Sequence, residues 1–350
     1  MAYLCLVGPL QLRRFAKLIA IGTKEENTPV KAAVLHTLGK PPRFEDFPDP
    51  HPSPDEVKVR VEAASLKNID KAMASGSHYD SHSELPVVCG IDGVGVLDDG
   101  TRVYCGGSRP PYGMMAEQTV VSRAWCLPIP DGVDDVTAAA LPNPALSSWL
   151  PLVWRAQLQP GETVLVLGAT GVAGKLALQI AKHLGAGRVV AAGRNEHVLE
   201  KLPDLGADAI IALDQPDQEL TAAFIREASH KRFDIILDYL WGHPTEVLLD
   251  ALTGHDLKAE SSRIRLIEIG EIAGPTISLS AAALRSSGLE LYGSGGGSIP
   301  HTAIFEAFPQ VWALAACGTL RIDTEAVALA DVESAWQRQD LPGRRIVIIP

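Results

Sequence analysis

Cysteine is scarce in this 350-residue chain and falls into no motif. The five residues, Cys5, Cys89, Cys105, Cys126 and Cys317, include no pair at C-x-x-C spacing. An odd number of scattered thiols argues against a disulfide framework and fits a reducing, cytoplasmic setting with small buried side chains. Positive charge is also in short supply. Lys and Arg number 31 against 42 Asp and Glu, a net charge of −11. That balance argues against nucleic acid as a partner, because such surfaces present clustered cations, and against adhesion to an anionic membrane. No apolar run reaches the roughly 20 residues of a membrane span. What remains is 46% hydrophobic and only 21% charged, enough for about two domains with sizeable cores.

Residues 1–29 stand apart. Arg13, Arg14, Lys17 and Lys24 precede the first acid, Glu25, with Leu10, Leu12, Phe15, Leu18 and Ile19 interleaved. The stretch reads as an extension before a domain that begins near Val30, with a transit-like amphipathic segment as the alternative.

From Val30 to about Pro142 the pattern is of strands. Runs at Val30–Leu35, Val57–Glu62, Gly93–Leu97, Arg102–Tyr104 and Glu117–Val121 are divided by Gly and Pro, and Val57-Lys-Val-Arg-Val-Glu62 alternates strictly. Many short strands with turn signals predict a compact barrel-like β domain over 30–143. Beyond Ala145 strand and helix alternate. Strands are expected at Val164–Leu167, Arg188–Ala192, Ala209–Ala212, Phe233–Asp238, Arg263–Gly270 and Leu289–Tyr292, with helices between them. Six strands with crossover helices make a doubly wound parallel sheet over 144–297. Residues 298–350 carry helices at Thr302–Ala316 and Asp331–Gln337 and a last strand at Arg345–Ile349, and are expected to return to the first domain.

The strongest chemical motif follows the first of those six strands. Ala169-Thr170-Gly171-Val172-Ala173-Gly174 has the spacing of G-x-G-x-x-G with Ala in the first place, and it lies between a buried strand and a helix. In that setting the pattern marks a Rossmann dinucleotide site. Gly171 would let the backbone approach a pyrophosphate, Gly174 would let helix and strand pack closely, and the N–H groups at the helix start would face the phosphates. The end of the second strand, Gly193-Arg194-Asn195, lacks the carboxylate that holds an unphosphorylated ribose. A guanidinium there suits a 2′-phosphate, which predicts NADP(H). Further cofactor contacts are expected at later strand ends, from Tyr239, Gly270, Gly293 and Ser294. The glycine-rich run Gly293–Ser298 either passes the nicotinamide or links the two domains.

With these residues the chain resembles the medium-chain dehydrogenase/reductase superfamily, and within it the zinc-free quinone oxidoreductase, zeta-crystallin-like branch. The resemblance spans about Val30 to Pro350. It rests on Val59–Ala64, Gly90-Ile-Asp-Gly-Val-Gly95, Gly100–Val103, Ala138–Pro142, Gln159–Val166, the glycine motif, Leu205–Asp208 and the closing Gly343–Pro350 strand. It implies a GroES-like β-barrel domain, an active site between that domain and the Rossmann domain, and a homodimer. In zinc-dependent members a Cys and a G-H-E stretch hold the metal. Here Leu66–Lys67 and Gly90-Ile91-Asp92 stand at those places, so no metal is expected, with His78, His82 and Cys89 the only nearby candidates. The resemblance implies NADPH-dependent reduction of a small electrophile, a quinone or an α,β-unsaturated carbonyl, where the charge spreads into an enolate or hydroquinone without a Lewis acid. Three side chains are candidates for the substrate side. Lys67 would either hydrogen-bond the developing oxyanion or the nicotinamide ribose, or be a solvated charge. Tyr79 would either donate a proton or merely pack, and Tyr112 is a third of the same kind. Asp70 would anchor backbone or act as a base. A thioester-linked enoyl reductase and a nucleotide-binding redox sensor without turnover remain alternatives.

Overall fold

The computed structural model describes residues 28–253 and 263–350. The expectation of an amphipathic extension, and Cys5 with it, lies outside the described residues except for Thr28 and Pro29.

The first lobe is built on β1 (Val30–Leu35), β2 (Arg43–Phe47), β3 (Glu56–Leu66), β4 (Val87–Val88), β5 (Asp92–Val96), β6 (Arg102–Gly106), β7 (Gln118–Ser122) and β8 (Leu127–Pro128). Val59 and Val61 of β3 are buried while Arg60 between them points outward. β3 is the hub. It pairs antiparallel with β5, β7 and the last strand of the chain. Helix α1 (Asn68–Ser75) follows β3 at once and stops at Gly76, whose φ of 82° is open to glycine. Helices α2 (Asp135–Ala140) and α3 (Pro142–Leu150) then carry the chain to the second lobe. Asp134 caps α2 by accepting the Thr137 N–H at 2.9 Å.

The second lobe holds β9 (Thr163–Leu167), α4 (Val172–His183), β10 (Arg188–Gly193), α5 (Glu196–Leu199), β11 (Ala209–Ala212), α6 (Asp217–His230), β12 (Ile235–Asp238), α7 (Gly242–Thr253), β13 (Ile264–Glu268), α8 (Ala281–Ser286) and β14 (Leu289–Gly293). The six strands form one parallel sheet in the order β11-β10-β9-β12-β13-β14. Central strand β9, Thr-Val-Leu-Val-Leu, is buried along its length, as a strand covered on both faces must be. Order and direction make this the Rossmann sheet expected from the sequence, with its switch point at β9/β12.

Helix α9 (His301–Ala316) buries Ala307 and Val311 against the Rossmann side and Phe308 and Trp312 against the first lobe. Strand β15 (Thr324–Ala328), α10 (Val332–Gln337) and β16 (Arg345–Ile349) finish the chain, and β16 joins β3. The Rossmann lobe is therefore an insertion into the first. Sequence patterning missed β2, β4, β8 and β15, which are short or carry alternating charge, and α1 to α3, which begin where strand punctuation dominates.

One core layer lies between the sheet and α6, where Phe224 is fully buried beside Phe233 and Ile236. Replacing Phe224 with Ala should cost about 3–5 kcal/mol. Chemical denaturation followed by circular dichroism would read the loss as a lower midpoint with an unchanged slope.

Candidate active site

The sheet ends, α1 and the returning tail enclose a cleft of about 1530 Å³ between the lobes. One wall is the corner after β9. Gly168 takes φ +88°. A Cβ on Gly174 would sit 2.3 Å from the Gly168 carbonyl oxygen and 2.5 Å from the Ala169 Cα, so only glycine lets α4 approach the strand. At Gly171 a Cβ would meet nothing nearer than the Gly168 oxygen at 3.3 Å, which leaves its cleft side open. No side chain caps α4. Its first turn therefore keeps its positive end, and Val172, Ala173 and Gly174 line the cleft with Thr170 and Gly171. Ala169 differs from the expectation. It is buried behind the corner, where its N–H donates to the Ala192 carbonyl at 2.9 Å, and it does not line the cleft.

The end of β10 comes to the same wall. A Cβ on Gly193 would collide with Thr170 Cγ2 at 2.5 Å, so the strand end and the corner interlock. Arg194 lines the cleft, is exposed, and makes no hydrogen bond or ion pair with a described residue. Asn195 instead serves the fold. Its amide oxygen accepts the Val198 N–H at 3.0 Å and caps α5, and the side chain is not part of the cleft wall. These features fit a dinucleotide: a cradle that a Cβ would fill, an open approach at Gly171 and an unpaired guanidinium.

Farther along the sheet edge, Tyr239, Gly270, Gly293 and Ser294 all line the cleft. The Tyr239 hydroxyl contacts Ser148 Oγ at 2.8 Å and the Ser147 carbonyl at 3.1 Å, and burial pushes its pKa up. Glu268, also on this edge, was not anticipated. Burial, with Asp238 and Glu271 nearby, raises its carboxyl above the ordinary value.

The opposite wall centres on Lys67, and here the solvated alternative needs correction. The side chain is buried, not solvated. Its Nζ lies 2.8 Å from Asp92 Oδ1 and 3.6 Å from Asp70 Oδ2 and donates to the Ser65 carbonyl at 2.9 Å, so it sits in a buried ion pair on the cleft wall. Asp70 anchors backbone, accepting the Lys67 N–H at 2.8 Å and the Ile91 N–H at 3.1 Å. Desolvation raises the Asp92 carboxyl while Lys67 pulls it back. A metal does not fit this place. An ammonium is no ligand, burial drives the Cys89 and Cys105 thiols away from thiolate, and no metal-holding cluster of His, Cys, Asp or Glu occurs among the described residues.

Tyr79 stands at the rim. It is 83% exposed, stacks on His78 at 4.0 Å, and points its hydroxyl to about 4 Å from the site of a Cβ on Gly295 or Gly296 across the opening. Tyr112 does not belong to the site. Its ring packs edge-on against Phe47 at 6.1 Å with the Arg109 guanidinium 5.7 Å away, outside the cleft. Sequence reasoning missed the aromatic part of the cleft, Tyr104, Trp125 and Phe308, and also Lys71. The i, i+4 step from Lys67 to Lys71 was available as a signal, but it needed α1 to be recognised as a helix.

Comparison with known proteins finds the same two domains. Residues 53–131 match the alcohol dehydrogenase GroES-like domain, and residues 172–316 match the family described as zinc-binding dehydrogenase. A protein named probable NADPH-dependent quinone reductase from Emericella nidulans is 26% identical, over 91% of this chain and 99% of its own. An NADPH-dependent alkenal/one oxidoreductase of Arabidopsis thaliana is 30% identical over 53% of this chain and 50% of its own. The quinone oxidoreductase of Thermus thermophilus, whose structure is described also in complex with NADPH, superposes with a TM-score of 0.73 at 28% identity, covering 91% of this chain and 100% of that one.

The buried ion pair generates a stability prediction. Lys67→Met leaves Asp92 without its partner and should cost about 3–5 kcal/mol, whereas Lys67→Met with Asp92→Leu should recover most of that loss. An unpaired Asp92 has a folded-state pKa above its unfolded value. The single variant's deficit should therefore be small in acid and grow as pH rises through that titration. Urea midpoints at several pH values would test it, and a deficit independent of pH would count against the pairing.

Proposed function

Starting from the medium-chain dehydrogenase/reductase superfamily, quinone-reductase-like branch, to which this chain belongs, we propose an NADPH-dependent oxidoreductase that passes hydride to quinones or α,β-unsaturated carbonyls without zinc. The observation that carries the reading is the glycine corner with the unpaired Arg194 beside it. NADPH, when bound, supplies the hydride. In this reading residues 144–297 hold the cofactor, and residues 30–143 with 298–350 hold the acceptor.

The chain's own residues do the remaining work. The first turn of α4 receives the pyrophosphate. Arg194 pairs with the 2′-phosphate, and no carboxylate competes at that strand end. Gly293 and Ser294 border the nicotinamide end. Tyr104, Trp125 and Phe308 give the acceptor side an apolar lining that excludes water and strengthens the electrostatics inside. The Lys67–Asp92 pair occupies the floor where a metal would otherwise sit, which supports a reaction run by positioning and proton supply. The exposed Leu291 on edge strand β14 supports a homodimer. Reduced, scattered cysteines support a cytoplasmic setting.

Two measurements test the assignment. Purified protein should consume NADPH in the presence of 1,4-quinones or 2-alkenals, and binding without turnover across that panel would leave only a nucleotide sensor. Arg194→Ala should weaken NADPH binding about 10–100-fold, as expected for loss of a charge-assisted hydrogen bond, with little change for NADH. Equal effects on both nucleotides would remove Arg194 from the 2′-phosphate.

A further inference from the structure

Hydride arrival leaves the acceptor as an anion that needs a proton, and several of the charged or hydroxyl groups facing the cleft are already engaged, while Tyr79 stands exposed at the rim. Lys67 is held by Asp92 and the Ser65 carbonyl. Tyr239 is held by Ser148 and Ser147. Arg194 and Arg345 do not release a proton in the working range. Lys71 is different. It lies on α1 on the same helix face as Asn68 and Ala72, and all three line the cleft. Its side chain is half-buried, and its ammonium makes no hydrogen bond or ion pair with any described residue. The neighbouring carboxylate of Asp70 is occupied by backbone N–H groups.

We propose that the Lys71 ammonium is the general acid that protonates the reduced acceptor, a role that rests on the hydride-transfer reading above. With an enone, a C–H bond forms at the β-carbon and the π electrons move onto the carbonyl oxygen. A Lys71 N–H bond then breaks as the proton passes to the enolate, leaving a neutral amine that solvent reprotonates. With a quinone, the same proton goes to the oxygen of the hydroquinone monoanion. Burial without a counter-charge favours the neutral amine and pulls the Lys71 pKa below the ordinary lysine value. That shift moves it toward the range where a general acid is effective.

Lys71→Met should lower kcat about 100-fold with NADPH affinity unchanged. Lys71→Arg, which keeps the charge but not a transferable proton, should fail to restore it, and added ethylammonium should partly rescue Lys71→Met. The wild-type rate should fall as pH rises through the Lys71 titration, and that limb should vanish in Lys71→Met. Other titratable groups around it are Asp70 on α1, His78 and His82 in the loop that follows, Asp92 and Tyr104 on β5 and β6, and Glu268 and Glu271 across the cleft. The limb lost in Lys71→Met separates Lys71 from these. In protein without nucleotide, acylation by acetic anhydride read by mass spectrometry should reach Lys71 at lower pH than the exposed lysines. Wild-type protein inert toward every acceptor would remove the hydride-transfer reading and this step with it. An active wild type with Lys71→Met unimpaired, or Lys71 acylated only along with the exposed lysines, would overturn the Lys71 role alone.

Discussion

The structure depends on one close approach, that of α4 to the Gly168 carbonyl across Gly174. A 2.3 Å clearance to a hypothetical Cβ leaves no room for any side chain. The approach turns the chain sharply enough that the uncapped first turn of α4 faces the cleft and not the protein interior. Local conformation, packing and site chemistry are here one constraint. The glycine permits the contact, the contact aims the helix, and the aimed helix supplies positive potential where a diphosphate fits. The tail of the chain reinforces it, since Lys175 of α4 bonds Asp323 at 2.8 Å and the Gly343 carbonyl at 3.1 Å.

The opposite wall follows a different logic. Two buried carboxylates and a buried ammonium are costly to desolvate, and they persist because each has a near partner. Asp70 fixes the Lys67 and Ile91 backbones, Lys67 answers Asp92, and Asp92 lies beside the Tyr104 hydroxyl. The cluster holds the floor rigid and leaves Lys71, one turn away, without such a tie.

Much of this was readable before the structure. The six Rossmann strands and the glycine corner follow from apolar runs joined by a motif whose mechanism demands that context. Gly193, Gly270, Gly293 and Ser294 could be placed on the cleft wall because clefts of such sheets open beyond the strand ends. What failed did so for physical reasons. Sequence shows Lys67 as a charge but not the Asp92 carboxylate, on another strand, that pairs with it and takes it out of solvent. Asn195 carries the signature of a helix cap as readily as that of a ligand contact, and the cap prevailed. Tyr112 follows two prolines toward Phe47, a turn of the chain that no periodicity reveals. Ala169 kept its place in the motif but turned inward, because its N–H belongs to the β10 ladder.

The inserted topology has a mechanical consequence. The chain passes from the first lobe to the second near α2 and α3, and returns through 293–300 and α9. A body tied to its neighbour at two separated points loses most of its rotational freedom, since swivelling or sliding would stretch one tie. The motion that two such ties oppose least is a hinge-like rotation about the line joining the crossings. Such a rotation changes the width of the gap between the lobes while keeping the register of one face against the other.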